Sequence, residues 1–198
     1  MASTFMVTLD SMRYAAKPKA ADAAAITRRM QGAGAVEVTP PQLCEHVRRG
    51  GTWMGGTYEP ERGGWGRFLG QRIFALDFDN ETHGKPKRPL QPGEAGYLSP
   101  LDAIRACLEC DVEPMLLYFT MSASLDPLRC KYRLVIDNGE TVTSEKEARG
   151  VLDGLLEAFP EADQSCRNPN RLFFGSGGEC WPLFDWLGRD GGWRSWAR

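Results

Sequence analysis

Hydrophobic and polar residues alternate with period two in some runs of this chain and recur with a helical period in others. The alternating or continuously apolar runs predict strands at residues 4–9, 36–38, 73–80, 114–120, 130–136 and 171–174. Helices are predicted where the period lengthens. An Ala-rich segment at 20–30 ends in Arg28-Arg29 before Gly32 and Gly34, and a second helix runs over 40–49, capped by Thr39, opened by Pro40 and stopped by Gly50-Gly51. Ser99 caps a third helix over 100–110. Ser144 and Glu147 form a capping box for a fourth, which carries Ala148, Val151, Leu152, Leu155, Leu156 and Phe159 on one face and ends at Pro160. Residues 52–70, rich in Gly and aromatics, suggest a hairpin or loop close to a ligand or to the sheet. Residues 81–97 read as a basic loop, and Asp137-Asn138-Gly139 and 175–178 as turns.

The expected class is α/β (α+β) in a single domain of 198 residues. An N-terminal αβ unit covers about 1–70 and a second half about 71–180, with 181–198 as a boundary segment. The second half has the order β-α-β-β-α-β, that of a split βαβ, RRM-like or palm-like unit, and a mixed sheet is expected in it. Trp181, Trp186, Trp193 and Trp196 are assigned to core and docking contacts. The N-terminus shows no signal-peptide pattern and no run is long enough to span a membrane, so a cytoplasmic protein is expected, neither secreted nor in contact with membrane. Its six cysteines are then reduced thiols, mostly buried. With a net charge of −2, any polyanion-binding surface has to be local.

The chemistry concentrates on Ile73-Phe74-Ala75-Leu76-Asp77-Phe78-Asp79-Asn80. Alternation puts Phe74, Leu76 and Phe78 on one face and Asp77 and Asp79 on the other. Two carboxylates that close suit a divalent cation such as Mg²⁺ or Mn²⁺, although a strand running into a polar loop gives the same pattern. Lys131 and Arg133 share a face of a later strand, where they would hold a triphosphate or else form surface salt bridges. Asp163 and Arg171 offer a third metal ligand and a further phosphate-binding cation. Arg62, Arg67, Arg72, Lys85 and Lys87 are candidates for template contacts, with Trp53 or Trp65 for base stacking. With only His46 and His83, a chemistry that needs a histidine pair is disfavoured. Cys107 and Cys110 fit a helix facing a core better than a zinc site.

Taken together, Leu76-Asp77-Phe78-Asp79-Asn80, Tyr118-x-Thr120-x-Ser122, Lys131-x-Arg133-Leu134-Val135-Ile136 and Asp163-x₇-Arg171-x-Phe173-Phe174-Gly175 resemble the archaeo-eukaryotic primase superfamily, in particular phage and plasmid primase-polymerases. The resemblance spans about residues 72–175. It implies that Asp77, Asp79 and Asp163 bind two Mg²⁺ or Mn²⁺ ions, that Ser122, Lys131, Arg133 and Arg171 bind nucleotide, and that Arg133 stands where the family usually has His. The implied activity is primer synthesis and polymerisation from nucleoside triphosphates on single-stranded DNA, in phage or plasmid replication, with a helicase domain or protein as a further partner. Two other readings stay open: a non-catalytic nucleic-acid-binding initiator module, and an Asp-x-Asp nucleotide-sugar transferase.

Overall fold

The computed structural model describes residues 4–82, 85–124 and 130–183. Eight strands and five α-helices alternate along them: β1 (Phe5–Arg13), α1 (Ala20–Ala33), β2 (Val36–Val38), α2 (Pro40–Arg48), β3 (Gly51–Met54), β4 (Thr57–Tyr58), β5 (Phe68–Phe78), α3 (Pro100–Glu109), β6 (Glu113–Phe119), α4 (Met121–Ser124), β7 (Tyr132–Val142), α5 (Glu145–Ala158) and β8 (Cys180–Pro182). The fold is α+β. A three-stranded sheet of order β2-β1-β3 stands beside a five-stranded sheet of order β4-β5-β7-β6-β8. Every strand pairing among the described residues is antiparallel, so the mixed sheet expected from the sequence is not formed. The physical reason is the placement of β7 between β5 and β6. It separates the two strands joined through α3, which run the same way, and gives each an antiparallel neighbour.

The helices begin where the caps require. The Thr39, Ser99 and Ser144 hydroxyls accept hydrogen bonds from the backbone N–H of Gln42, Asp102 and Glu147. Strand alternation divides the large sheet into two faces. On one, Phe78 stacks on Tyr132 with ring centroids 4.8 Å apart and meets Phe159 edge-on at 6.1 Å, under α5. The Tyr132 hydroxyl donates to the carbonyl of Leu98 at the head of α3, 3.0 Å away. Full burial of such side chains contributes about 2 kcal/mol each. The other face is covered by the small sheet. Trp53 of β3 is fully buried, donates its indole N–H to the Tyr118 hydroxyl of β6 at 3.0 Å, and packs on Phe173. One continuous core therefore contains Val7, Leu43 and Trp53 together with Ala75, Leu116 and Val135.

Three elements depart from expectation. Residues 171–174 do not add a strand to the large sheet, whose two edges are held by β4 and β8. Phe173 makes an isolated bridge to Trp53 instead. The strand that does close the sheet is β8, on the far edge against β6. The turn expected at 137–139 lies inside β7. Asp137 accepts from the Gly139 N–H, as turn chemistry demands, but also takes a two-pronged hydrogen bond from Arg72, and the chain bulges and continues pairing to Val142. Four of the six thiols are buried, with Cys110 exposed and Cys130 half-buried. Trp181 packs on Phe119, while Trp186, Trp193, Trp196 and His83 lie outside the described residues.

Candidate active site

At one end of the large sheet, β5 and β7 deliver charged side chains to a common point. Asp77 lies directly opposite Arg133 in the strand register, and Tyr118 of β6 lies opposite Arg133 on its other side. Residues paired across strands share a face, so Asp77, Arg133 and Tyr118 form a row. The Arg133 Nε–H donates to Asp77, and its other arm donates to the carbonyl of Phe174. Its guanidinium carbon also stands 5.6 Å from the centre of the Tyr118 ring and 5.5 Å from that of Phe173. Burial opposes charge on Arg133, but the Asp77 carboxylate and the Tyr118 hydroxyl outweigh it and hold the guanidinium protonated.

Two residues beyond the end of β5 comes Asn80, which adopts a left-handed φ of 44°. An amide side chain tolerates that conformation, and here it also ties the site together. Its NH₂ group donates to the carbonyls of Leu98 and Cys130, both at 2.9 Å, while its oxygen accepts from the Leu98 N–H at 3.0 Å. The turn at Asn80 sends Asp79 and Glu81 toward Lys131, whose ammonium lies 3.2 Å from Asp79 and 2.7 Å from Glu81.

The third acid arrives from the segment after α5. The Asp163 N–H donates to the carbonyl of Asp77 at 2.7 Å, which fixes the two acids side by side. The Asp163 carboxylate then caps the short 3₁₀ helix Gln164–Arg167 and accepts from the Ser165 N–H and hydroxyl. Burial works to raise its pKa, yet the Ser165 hydrogen bonds and the Arg171 charge win and leave it below the ordinary aspartate value. A single Arg171 nitrogen sits 2.8 Å from Asp77 Oδ2 and 2.8 Å from Asp163 Oδ2.

These groups line one cavity of about 400 Å³. Asp77, Asp79, Asp163, Ser122, Lys131, Arg133, Arg171 and Lys87, all singled out in the sequence, face it. So do Glu81 and Lys17, which were not. Glu81 could have been suspected from its position just after Asp77-x-Asp79, whereas nothing in the local pattern marks Lys17, which comes from the connection between β1 and α1. Ser165 and Asn80, which brace the acids, were also missed as site residues. Comparison of the chain with protein-family models, curated proteins and solved structures yields no match.

The remaining sequence candidates fall elsewhere. Arg67 is exposed and paired with Glu59. Arg72 is paired with Asp137 five residues up β5 from Asp77, about 17 Å away along a strand. Arg62 borders a separate surface groove with Arg28 and Pro60, and Lys85 is exposed on the loop that carries Lys87. Trp53 is core, so it offers no face to a base. Trp65 packs on Tyr58 at 5.2 Å. Among the described residues, no helix is long and apolar enough to cross a membrane, and no three His, Cys, Asp or Glu side chains are grouped to hold a metal as they stand. The donors are nevertheless hard carboxylate oxygens, the type Mg²⁺ and Mn²⁺ take. Asp77 and Asp163 each turn one oxygen to the same Arg171 nitrogen.

Proposed function

We propose that this chain is a DNA-templated nucleotidyltransferase that makes and extends primers on single-stranded DNA, as a primase-polymerase of phage or plasmid replication. The observation that carries the reading is the convergence on one cavity of Asp77, Asp79 and Asp163 with Lys131, Arg133 and Arg171 from four separated stretches of sequence. The interleaved order β5-β7-β6, with α3 and α5 as connections, supports an RRM-like catalytic half. The sequence resemblance to the archaeo-eukaryotic primase superfamily points the same way.

Asp77, Asp79 and Asp163 would hold two Mg²⁺ or Mn²⁺ ions. When bound, such ions activate the attacking 3′-hydroxyl and stabilise the leaving pyrophosphate. The chain's own cations have a separate task. Lys131, Arg133 and Arg171, with Lys87 and Lys17 at the rim, would neutralise the triphosphate and align it for in-line attack, and Ser122 would add a hydrogen bond. Arg133 is rigidly seated by Phe174, Tyr118 and Asp77, so it can orient a phosphate without first being ordered. A sheet-face nucleic-acid-binding module would need exposed aromatics. Phe74, Phe78, Tyr118 and Tyr132 are instead buried.

The test is nucleotide incorporation on unprimed and primed single-stranded DNA with Mg²⁺ or Mn²⁺. The native chain is expected to give metal-dependent products, reduced about a hundredfold or more in Asp79→Ala and Asp163→Ala. No product from the native chain on either template, with either metal, would overturn the reading.

A further inference from the structure

Every carboxylate facing the cavity is matched to a cation of the same chain. Asp77 contacts Arg133 and Arg171, Asp163 contacts Arg171, and Asp79 and Glu81 contact Lys131. The Arg171 pairing differs from the rest in its geometry. One nitrogen bridges an oxygen of Asp77 and an oxygen of Asp163 at equal distances of 2.8 Å, the position in which a cation shared by both carboxylates would sit. That seat does not satisfy the whole guanidinium. The Arg171 Nε is buried and has no hydrogen-bond partner, although its ring neighbour Phe173 lies 5.8 Å from the guanidinium carbon.

We infer that Arg171 is an internal counter-ion that occupies the shared metal position and gives it up only when a metal ion and a polyphosphate arrive together. This rests on the nucleotidyltransferase reading and adds to it how the site loads. A lone divalent cation has to displace a guanidinium that then has no anion to meet. A lone triphosphate meets an arginine already committed to two carboxylates. A metal–triphosphate complex lets both pairs exchange at once: the carboxylates pass to the metal and Arg171 passes to phosphate. The two ligands therefore bind with positive coupling, and by linkage each raises the affinity for the other by the same factor. The sign of the mutational effect is unusual. Removing a positive charge from the cavity, Arg171→Gln, strengthens binding of the metal alone.

The experiment follows Mn²⁺ uptake by electron paramagnetic resonance in the full chain, native, Arg171→Gln and Arg171→Lys. Titrations are made with and without an α,β-methylene nucleoside triphosphate and corrected for Mn²⁺ held by free nucleotide. Variants are first checked for a native-like cooperative melt. The native chain is expected to bind Mn²⁺ about tenfold more tightly when the nucleotide is present. Arg171→Gln is expected to bind Mn²⁺ alone about tenfold more tightly than the native chain and to lose most of the coupling, while Arg171→Lys stays near native. Equal Mn²⁺ affinity with and without nucleotide in the native chain overturns the inference without recourse to a variant, and leaves the nucleotidyltransferase reading standing. Equal affinity of native and Arg171→Gln for Mn²⁺ alone does the same. No Mn²⁺ uptake by any of the proteins under either condition overturns both.

Discussion

Asp77 is at once a candidate metal ligand and half of a buried ion pair, and the two roles respond differently to substitution. Its side chain and that of Arg133 are each only 10% exposed. Truncating one partner of such a pair leaves the other charge buried and unmatched, which costs about 3–5 kcal/mol. Asp79, with 47% of its side chain exposed, carries no such burden. Urea denaturation is expected to show Asp77→Ala destabilised by about that amount and Asp79→Ala within about 0.5 kcal/mol of native. Loss of activity in Asp79→Ala therefore reports on chemistry, whereas the same loss in Asp77→Ala mixes chemistry with folding. The sequence made both residues legible as an acidic pair because period-two alternation fixes which face they share. It could not separate their burial. That depends on Arg133, more than fifty residues away, and on the chain turning outward at Asn80.

Elements were legible in proportion to how local their causes are. The three hydroxyl-capped helices lie close to where their caps and prolines place them, since those signals act within one turn. Residues 171–174 have strand composition, but composition says nothing about which edge is free, and β4 and β8 were too short to be noticed as the strands that hold the edges. What holds this segment is close backbone approach. A Cβ on Gly175 would stand 2.7 Å from the Val47 carbonyl oxygen and 2.8 Å from the Gly50 backbone, and backbone cannot give way cheaply. Gly175→Ala is expected to cost about 1–3 kcal/mol in urea denaturation and to lower nucleotide incorporation, by shifting the Phe174 carbonyl that Arg133 uses. Gly150→Ala, on α5 with open space around the added methyl, is the control and is expected to stabilise the protein by about 0.5–1 kcal/mol.

At the scale of the molecule, the two sheets share one core, so a perturbation in the small sheet is felt as global stability. His46 is the clearest case. From α2 it accepts from Arg13 of β1 at Nδ1 and donates from Nε2 to the carbonyl of Thr52 in β3, both at 2.9 Å, a pairing that requires the neutral ring. Burial, reinforced by the Arg13 charge and only partly offset by the Thr52 carbonyl, pushes its pKa below the ordinary histidine value. The unfolded chain then binds a proton that the folded chain refuses. Stability from this group is complete above about pH 6.5 and is lost as the pH falls below it, at no more than about 1.4 kcal/mol per pH unit. Urea titrations at pH 7.5 and 5.5 are expected to show that loss in the native chain and a smaller one in His46→Gln. None of this was readable from the sequence, where His46 is one polar residue on a helix. Its partners come from two strands that only the packing of the sheets brings to it.

The opposition of Asp77 and Arg133 also bears on how the chain finds its register. Where residues 73–76 of β5 lie against residues 134–136 of β7, both strands are apolar on both faces, and apolar residues alone discriminate poorly between one alignment and another two residues away. A shift of one residue would press the carboxylate among the aromatics beneath α5, and a shift of two would set it against Val135 or Lys131 in place of Arg133. Only the native alignment sets Asp77 beside Arg133, whose other arm meets the Phe174 carbonyl. The same contact that would later handle phosphate thus acts during assembly as a proofreading mark, and a molecule that zips these strands correctly has already built the floor of its cavity.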